Sequence, residues 1–385
     1  MTETLRGRIA IAGVGNTKRW DAPGRGPFDQ LQEAAILALE DCGLGLGDVD
    51  ALYCALSTSG LPVLNVAERL GLGPNLKQAD GTMVGGASFL FHLQSASAAL
   101  AAGLCDVALI CYGSNQRSAG GSLVSMPDPQ PYEAPYRPRY PVSSYALAAA
   151  RHMHDYGTTR ENLADVALAA RRWARLNPDA FERGPLTREE VLGSRMISDP
   201  LTKADCCLVT DGGAAVVLTR ADHARDLAAP PVYVLGTGVA VSHRQIAAMP
   251  DLTTTAAVRS GQAAYAMAGV GPADIDHLML YDAFTITTLL FLEDLGFCAK
   301  GEGGAFVSSG AIAPGGSLPV NTNGGGLSCN HPGMYGLFTL IEAVEQLRGR
   351  CGERQIRNAE LALAHANGGV LSSQATAILG TAATL

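Results

Sequence analysis

The chain has 385 residues, which is enough for two domains of ordinary size with a substantial core. Hydrophobic residues make up 47% of the chain and charged residues 17%, a composition that excludes a disordered protein. The net charge of −8 argues against a nucleic-acid partner, because binding phosphates needs a basic surface.

Short apolar runs alternate with alanine-rich helical stretches, which is typical of α/β architecture. The predicted strands, in chain order, are Arg8–Ala12, Ala51–Ala55, Val107–Cys111, Ala214–Leu218, Val232–Gly236, His277–Leu280 and Leu361–Ala364. The predicted helices are Phe28–Asp41, Phe89–Ala102, Arg160–Leu176, Thr253–Met267 and Tyr335–Leu347.

The chain carries no signal for a membrane or for secretion. Its apolar runs are too short to span a bilayer, and its first residues lack the basic and apolar regions of a signal peptide. Nine cysteines without regular spacing are typical of a reduced protein. We therefore expect a cytoplasmic location, with no membrane association.

One helix–turn–strand segment occurs twice. In the first copy, Gly43-Leu44-Gly45 leads to Asp48-Val49-Asp50 and a strand. In the second copy, Gly269-Val270-Gly271 leads to Asp274-Ile275-Asp276 and a strand, with every matched position shifted by 226 residues. This repeat predicts a chain built from two related halves.

A second pair of motifs predicts where the halves differ. Asp211-Gly212-Gly213 resembles Asn367-Gly368-Gly369, and the chain between the first repeat and this motif is much longer in the first half. Long insertions of this kind usually carry function. We predict an N-terminal half over residues 1–225, with a loop domain inserted at about 115–195, and a C-terminal half over residues 226–385.

Several motifs, in order along the chain, resemble the sterol-carrier-protein branch of the thiolase superfamily. They are the run from Ser198 to Gly213, the tetrapeptide Tyr281-Asp282-Ala283-Phe284, and the glycine-rich loop from Asn321 to Gly336 with its His331-Pro332 pair. The resemblance implies a thiolase fold, with two similar βαβαβαββ halves in a five-layered αβαβα arrangement.

The departures from this pattern concern the catalytic residues. Where thiolases place a nucleophilic cysteine before a helix, this chain has Gly85-Gly86, and where they place a second cysteine it has Ala366-Asn367. Tyr281 stands where the sterol-carrier branch has a histidine. Without a thiolate in that position, ordinary acyl transfer lacks its nucleophile.

This combination resembles the thiolase-like aldolases of bacterial steroid side-chain degradation, which are labelled lipid-transfer proteins (the Ltp2 type). The resemblance implies retro-aldol cleavage of a steroid-type tertiary β-hydroxyacyl-CoA to a ketosteroid and a short acyl-CoA such as propionyl-CoA. It implies no cofactor apart from the CoA of the substrate. It also implies a homodimer that associates with a protein carrying a DUF35 domain, which has an OB fold.

Three residues are the candidate catalytic groups. A retro-aldol cleavage needs a base for the hydroxyl and an acid for the α-carbon. Tyr281, at the end of a predicted strand, and Tyr335, at the start of a predicted helix, are candidates for these roles in either order. We expect the helix N-terminus to lower the pKa of Tyr335. His331, the histidine of the thiolase motif, is expected to stay neutral and to donate a hydrogen bond to the thioester oxygen.

The candidate oxyanion and substrate-binding residues are Gly85, Gly86, Asn323, Gly368 and Gly369. The four glycines are candidates because glycine allows a close approach of backbone N–H groups. No metal site is expected, because no Cys-x-x-Cys or His-x-x-x-His pair occurs. Thiolases hold CoA in the region of this loop domain, so the resemblance implies that one or more of its basic residues contact the CoA phosphates: Arg137, Arg139, Arg151, Arg171, Arg172 and Arg175.

Two alternatives remain open at this point. The first is a thiolase or acetyl-CoA acetyltransferase that uses another cysteine, with Cys329 near His331 as the candidate. The second is a non-catalytic subunit that binds lipid or acts as a scaffold.

Overall fold

A computed structural model describes residues 5–57, 59–120 and 132–385. The strands, in chain order, are β1 Ile9–Asn16, β2 Ala51–Cys54, β3 Gln78–Asp80, β4 Val107–Ser114, β5 Met196–Ser198, β6 Leu201–Thr202, β7 Gly212–Arg220, β8 Val232–Val241, β9 His277–Leu280, β10 Leu361–Gly368 and β11 Ser373–Gly380. All of the predicted strands are present.

The helices are α1 Pro27–Cys42, α2 Pro62–Leu70, α3 Ser88–Ala101, α4 Gln116–Gly120, α5 Val142–Tyr156, α6 Arg160–Leu176, α7 Arg188–Leu192, α8 Ala221–Ala224, α9 Ala257–Ala268, α10 Thr285–Asp294, α11 Gly303–Ser308 and α12 Gly336–Leu347. All of the predicted helices are present. In the described part of the chain, no helix combines the length and the apolar character needed to cross a bilayer.

The large sheet has the strand order β3-β2-β4-β7-β1-β8-β11-β10-β9. β1 and β8 join its two parts through an antiparallel contact at Ala10–Tyr233 and Ile11–Val232. On each side of this junction, two antiparallel pairings are followed outward by a parallel one. The two parts of the sheet therefore mirror each other, as expected of a duplicated chain.

The repeated segment adopts the same structure twice. Gly43 and Gly269 end α1 and α9 in the left-handed conformation, which glycine adopts without strain. The carboxylate of Asp50 accepts the backbone N–H groups at the start of β4, and that of Asp276 accepts those at the start of β10. The duplication is confirmed by these equivalent hydrogen bonds.

The helices form layers on the two parts of the sheet. α1 packs on β1, β4 and β7, and α9 packs on β8 and β11. α3 and α12 contact strands of both parts, so they form the central layer between them. Both central helices are buried on most faces, in agreement with their apolar sequences. The predicted five-layered αβαβα arrangement is confirmed.

The second pair of motifs was matched at the wrong points. Gly212 begins β7, whereas Gly368 ends β10, so the two Gly-Gly pairs stand at different places in their halves. Between equivalent strands, residues 115–211 separate β4 from β7, and residues 369–372 separate β10 from β11. The longer connection contains α5, α6 and the two-stranded sheet of β5 and β6. Residues 121–131 of this connection lie outside the described residues.

Candidate active site

Four loops meet at the N-terminal ends of the two central helices. They carry Gly86 before α3, Tyr281 after β9, Tyr335 before α12, and Gly368-Gly369 after β10. The carboxyl ends of strands and the N-termini of helices are where α/β folds place ligands. The structure thus brings together the glycines and tyrosines that the sequence indicates.

Tyr281 fills the space that a side chain at position 86 would need. A Cβ atom added to Gly86 would lie 2.3 Å from Cε2 and 2.5 Å from Oη of Tyr281. Its three nearest neighbours all belong to this one ring. The position before α3 therefore holds a glycine because the phenol from β9 occupies the volume beside it.

The hydroxyl of Tyr281 lies between two nitrogen atoms. The backbone N–H of Tyr335 donates to it at 3.1 Å, and Nε2 of His331 lies at 3.1 Å from it. Both the His331 and Tyr335 rings stand edge-on to the Tyr281 ring. Burial raises the pKa of Tyr281 well above its ordinary value, although the N–H of Tyr335 acts in the opposite direction.

The expectation that the helix N-terminus lowers the pKa of Tyr335 is wrong. Burial raises the pKa of Tyr335 well above its ordinary value. The backbone N–H of Tyr335, the residue that precedes α12, points to the hydroxyl of Tyr281, while the hydroxyl of Tyr335 lies 2.9 Å from Nδ2 of Asn323. The electrostatic effect of the helix end is therefore exerted on Tyr281.

Asn323 holds the hydroxyl of Tyr335. The backbone N–H of Gly325 donates to Oδ1 of Asn323 at 2.8 Å, which fixes the orientation of the amide. Nδ2 of Asn323 is consequently the donor to Tyr335, and Oδ1 lies 3.1 Å from the same hydroxyl. The predicted substrate-binding residue Asn323 is thus a direct partner of a candidate catalytic residue.

His331 is buried and neutral. Burial lowers the pKa of His331 to about 4, so the ring is uncharged near neutral pH, as the sequence predicts. Its backbone N–H donates to the hydroxyl of Thr210, which fixes the loop. Nε2 faces Tyr281, and Nδ1 is buried without a hydrogen-bond partner in the part of the chain that the structure describes. One ring nitrogen therefore remains available to a bound molecule.

The two glycine pairs touch each other beside the tyrosines. A Cβ atom on Gly85, which has a φ of +77°, would lie 2.6 Å from the backbone nitrogen of Gly369. A Cβ atom on Gly368 would lie 1.8 Å from the carbonyl oxygen of Val84. No larger residue fits at either position, so the backbones approach closely where an anion-binding site is predicted.

Tyr145 is a site residue that the sequence did not indicate. It lies in α5, and its hydroxyl donates to the carbonyl of Gly369 at 3.1 Å and accepts from Nδ2 of Asn367 at 2.7 Å. Its ring packs on Phe284 with a centroid distance of 4.3 Å. An alanine-rich helix gives no sign of which distant loop its tyrosine contacts.

Asp282 is the second residue that was not recognised, although it follows Tyr281 directly. Its buried carboxylate accepts the backbone N–H groups of Gly326 at 2.6 Å and Leu327 at 3.3 Å. These belong to a π-helical turn, Gly325–Cys329, that precedes His331. Burial raises the pKa of Asp282 to about 7. Asp282 therefore anchors the loop that presents the histidine.

Burial makes the nine cysteines poor candidates for a nucleophile. Cys329 is buried, and Nδ2 of Asn177 lies 3.6 Å from its sulfur atom. Burial raises the pKa of Cys329 and of the other eight thiols above the ordinary value. A thiolate is the reactive form of cysteine, so each of these thiols is poorly suited to attack.

The arginines proposed for CoA differ in their surroundings. Arg151 pairs with Asp155 at 2.6 Å, and Arg171 donates to the hydroxyl of Ser328 at 3.0 Å. Arg137 and Arg139 are exposed. Across residues 5–57, 59–120 and 132–385, no group of three or more His, Cys, Asp or Glu side chains is arranged to hold a metal ion.

A cavity of about 750 Å³ lies beside the tyrosine cluster. Its lining includes Asn323, Cys329 and Asn330, but neither tyrosine nor His331. It therefore reaches the partner of the Tyr335 hydroxyl and the residue that precedes His331 from the side of α12.

Comparisons with known proteins agree with this geometry. A family model described as thiolase C-terminal domain-like matches residues 238–381. The chain is 35% identical to an acetyl-CoA acetyltransferase of Methanothermobacter thermautotrophicus, over 94% of this chain and 96% of that protein. It is also 35% identical to a steroid side-chain-cleaving aldolase of Thermomonospora curvata, over 90% of this chain and 91% of that protein.

A solved structure is similar along nearly the whole chain. The structure of an Ltp2-ChsH2(DUF35) aldolase superposes with a TM-score of 0.88 at 33% identity, and the match covers 98% of this chain and 99% of that one. The two relatives, an acetyltransferase and an aldolase, share the same percentage of identical residues with this chain. Sequence identity therefore does not distinguish between acyl transfer and carbon–carbon cleavage. The residues of the site have to distinguish between them.

Proposed function

Because the chain belongs to the thiolase-like family, and because a phenol fills the place of that family's nucleophile, we propose that it is a retro-aldolase. Its substrate is a steroid-type tertiary β-hydroxyacyl-CoA, and its products are a ketosteroid and a short acyl-CoA such as propionyl-CoA. The observation that carries the proposal is the contact between Gly86 and Tyr281. It removes the space for a nucleophile and puts an acid–base group there instead.

Tyr281 takes the proton of the β-hydroxyl in this mechanism. Its oxygen already accepts the N–H of Tyr335, which favours the anionic form, and its own proton points to Nε2 of His331. As the substrate proton moves to Tyr281, the phenol proton moves to His331. The electrons of the O–H bond form the ketone, and the electrons of the C–C bond become the thioester enolate.

His331 stabilises this enolate. With Nε2 accepting from Tyr281, the ring proton is on Nδ1, the nitrogen that has no partner in the described chain. Nδ1 then donates to the thioester oxygen, and the imidazole becomes positive as the oxygen becomes negative. The closely packed backbones of Gly85 and Gly369 border the same space. Donors directed at developing charge are the strongest contribution of many active sites.

Tyr335 supplies the proton to the α-carbon. Asn323 donates its Nδ2–H to the Tyr335 oxygen, so it supports the phenolate that remains after the proton has left. The proton held by Tyr281 and His331 then returns to Tyr335. One proton is taken up and one is released in each turnover, and no electrons are exchanged with another molecule. The proposed reaction therefore calls for no cofactor apart from the CoA of the substrate.

Acyl transfer through another cysteine is the less favoured function. Cys329 has its sulfur next to an amide of Asn177, and burial raises its pKa. Attack by this thiol requires a thiolate in a buried site that opposes its formation. A raised thiol pKa in the described site and a phenol beside Gly86 both favour cleavage.

We also propose that the chain works as a homodimer in a complex with a DUF35 protein that has an OB fold. The similar solved structure is of an Ltp2-ChsH2(DUF35) aldolase. The edge strand β3, together with the exposed side chains of Leu61, Leu64 and Met83, offers a surface for a second copy of the chain. Co-purification with such a protein and light scattering of the complex test both points. A Leu64→Glu variant is expected to be monomeric.

The mechanism is tested with Tyr281→Phe and Tyr335→Phe. Each variant loses one hydroxyl, and each is expected to lower kcat by at least about 100-fold, because acid–base groups contribute that much. Binding of the CoA ester should persist. Tyr136→Phe, at an exposed tyrosine, is the matched control and should be fully active. Full cleavage by either site variant would contradict the mechanism, and the ketone and acyl-CoA products are identified by mass spectrometry.

A further inference from the structure

The cavity beside the tyrosines opens where the two parts of the sheet separate. β1 and β8 pair only at Ala10 and Ile11, and beyond them the guanidinium of Arg348 donates to the carbonyl oxygen of Ala12 at 2.8 Å. From there β1 continues along β7 alone, and its last residues form a wall. We call this space the junction cleft and define it by Asn16, Trp20, Leu37, Asn330, Phe338 and Ile341.

The charged side chains of the junction cleft are largely neutralised by one another. Arg350 pairs with Asp41 at 2.6 Å. Arg354 contacts both carboxylate oxygens of Glu342, at 2.9 and 3.0 Å. A further pair, between Lys18 and Asp179, has a distance of 2.7 Å. Each of these positive groups lies beside a carboxylate, so the three pairs present no field of a single sign, which suits a neutral molecule.

The cleft also offers apolar surface and two unused polar atoms. Trp20, Phe338 and Ile341 contribute apolar walls, and the first two rings pack edge to face. Nδ2 of Asn330 and Oδ1 of Asn16 are buried and have no hydrogen-bond partners among the described residues. Asn330 is only 1% exposed. A buried donor without a partner costs free energy, which a ligand with an acceptor oxygen recovers.

The floor of the cleft adjoins the reacting groups. Asn323 lines it and holds the hydroxyl of Tyr335, and Asn330 lines it one residue before His331. A molecule in the cleft therefore ends next to the glycine-rich loop that carries His331 and Tyr335. The volume of about 750 Å³ lies in the range of sites for ligands of drug size.

From these observations we infer that the junction cleft binds the ring system of the substrate, a rigid, neutral polycycle with a keto or hydroxyl oxygen. Nδ2 of Asn330 donates to that oxygen. The inference rests on the proposed function, and it adds the place of the ring fragment: the rings enter along β1 and α12, and the bond to be cleaved lies beyond Asn323 and Asn330, on the side of the tyrosines.

The test uses a four-ring keto steroid, the kind of fragment that cleavage would release, and the full chain with its partner. Binding is measured by equilibrium dialysis. Asn330→Ala should weaken binding about fivefold, since one hydrogen bond is lost. Leu37→Trp, at a half-exposed rim residue, should weaken it at least about tenfold by obstructing the entrance. Leu104→Trp, at an exposed leucine outside the cleft, is the matched control and should bind as the native chain does.

Kinetics separate this inference from the proposed function. Leu37→Trp should raise KM for the steroid substrate at least about tenfold more than KM for a β-hydroxyacyl-CoA whose cleavage releases a small dialkyl ketone. One outcome is that both cleft variants lose steroid binding while the native chain cleaves no substrate. This outcome would overturn the proposed retro-aldolase activity, and the assignment of the cleft as the ring-binding site would stand. The opposite outcome is that the native chain cleaves the substrate and both variants bind the steroid as tightly as the native chain does. It would overturn only the assignment of the cleft as the ring-binding site.

Discussion

The ring of Tyr281 lies where the side chain of residue 86 would otherwise be. A Cβ atom on Gly86 would stand 2.3 Å from Cε2 of that ring, well inside van der Waals contact. The two residues come from different halves of the chain, one before α3 and the other after β9. The loss of a side chain at one position and the gain of a phenol at the other are therefore a single change in the shape of the site.

This relationship predicts strong coupling between substitutions at the two positions. Gly86→Ala should destabilise the native chain by about 1–3 kcal/mol, the usual cost of overpacking. In a Tyr281→Ala background the same change should cost almost nothing, because the obstructing ring is gone. Urea denaturation of the four proteins measures this coupling. Gly60→Ala, at a glycine with no neighbouring atom within 4 Å, is the control. Equal costs in both backgrounds would argue against the contact.

Asn323 is predicted to determine how well Tyr335 acts as an acid. In Asn323→Asp the donor to the phenol oxygen is replaced by a negative oxygen, which accepts the phenol proton and opposes its release. The kcat should fall by about 100-fold or more, with little change in KM. Initial rates at several substrate concentrations provide both constants. Asn75→Asp, at an exposed asparagine, is the control, and an equal loss in both variants would contradict the role of Asn323.

Tyr145 is predicted to position the Gly368-Gly369 turn. Tyr145→Phe keeps the ring contact with Phe284 but loses the hydrogen bonds to Gly369 and Asn367. The free energy of unfolding should fall by about 1 kcal/mol. The kcat/KM should fall roughly tenfold, because small displacements of positioned groups cost about this much or more.

The control for Tyr145 is Tyr265→Phe. Tyr265 is a partly buried tyrosine of α9, and its hydroxyl donates to the carbonyl of Leu295 at 3.1 Å, away from the four loops. It should show a similar loss of stability with unchanged kcat/KM. If both variants lose activity to the same degree, Tyr145 contributes to stability alone.

Much of this site could be predicted from the sequence because it depends on local features. Tyr281 follows a strand of four buried residues, and its place at the end of β9 follows from that run. The repeated segment, with one copy beginning at Gly43 and the other at Gly269, predicts the two related halves. Each copy forms the same turn with the same aspartate contacts. Motif resemblance indicates His331, and burial in the folded chain then keeps it neutral.

The remaining features depend on contacts between distant segments. The hydroxyl of Tyr335 accepts a hydrogen bond from Asn323, and the backbone N–H of Tyr335 donates to Tyr281. Packing in the folded chain determines these two partners. Tyr145 reaches Gly369 from α5, and no local pattern records that contact. Strand β11 was not predicted, and the resulting mismatch of the Gly-Gly motifs came from the very short turn before it.

His277 leads to a prediction on pH dependence. It is fully buried in β9, and across residues 5–57, 59–120 and 132–385 neither of its ring nitrogens has a hydrogen-bond partner. Burial lowers the pKa of His277 to about 4. Below its ordinary value of 6.5 the unfolded chain binds a proton that the folded chain does not. This residue therefore makes the folded state less stable as the pH falls from 6.5 to 4.

His277→Leu should remove that effect and the cost of two unpartnered nitrogens. We expect the variant to be more stable than the native chain, with a gain about 2 kcal/mol larger at pH 5 than at pH 8. His365 is the contrasting case, because its nitrogens bond to Thr376 at 2.9 Å and Gln374 at 3.0 Å. At pH 8, His365→Leu should destabilise the chain, because it leaves these two buried partners without their hydrogen bonds. Urea denaturation at both pH values compares the two variants, and a loss of stability in His277→Leu at pH 5 would show that the ring has a stabilising contact after all.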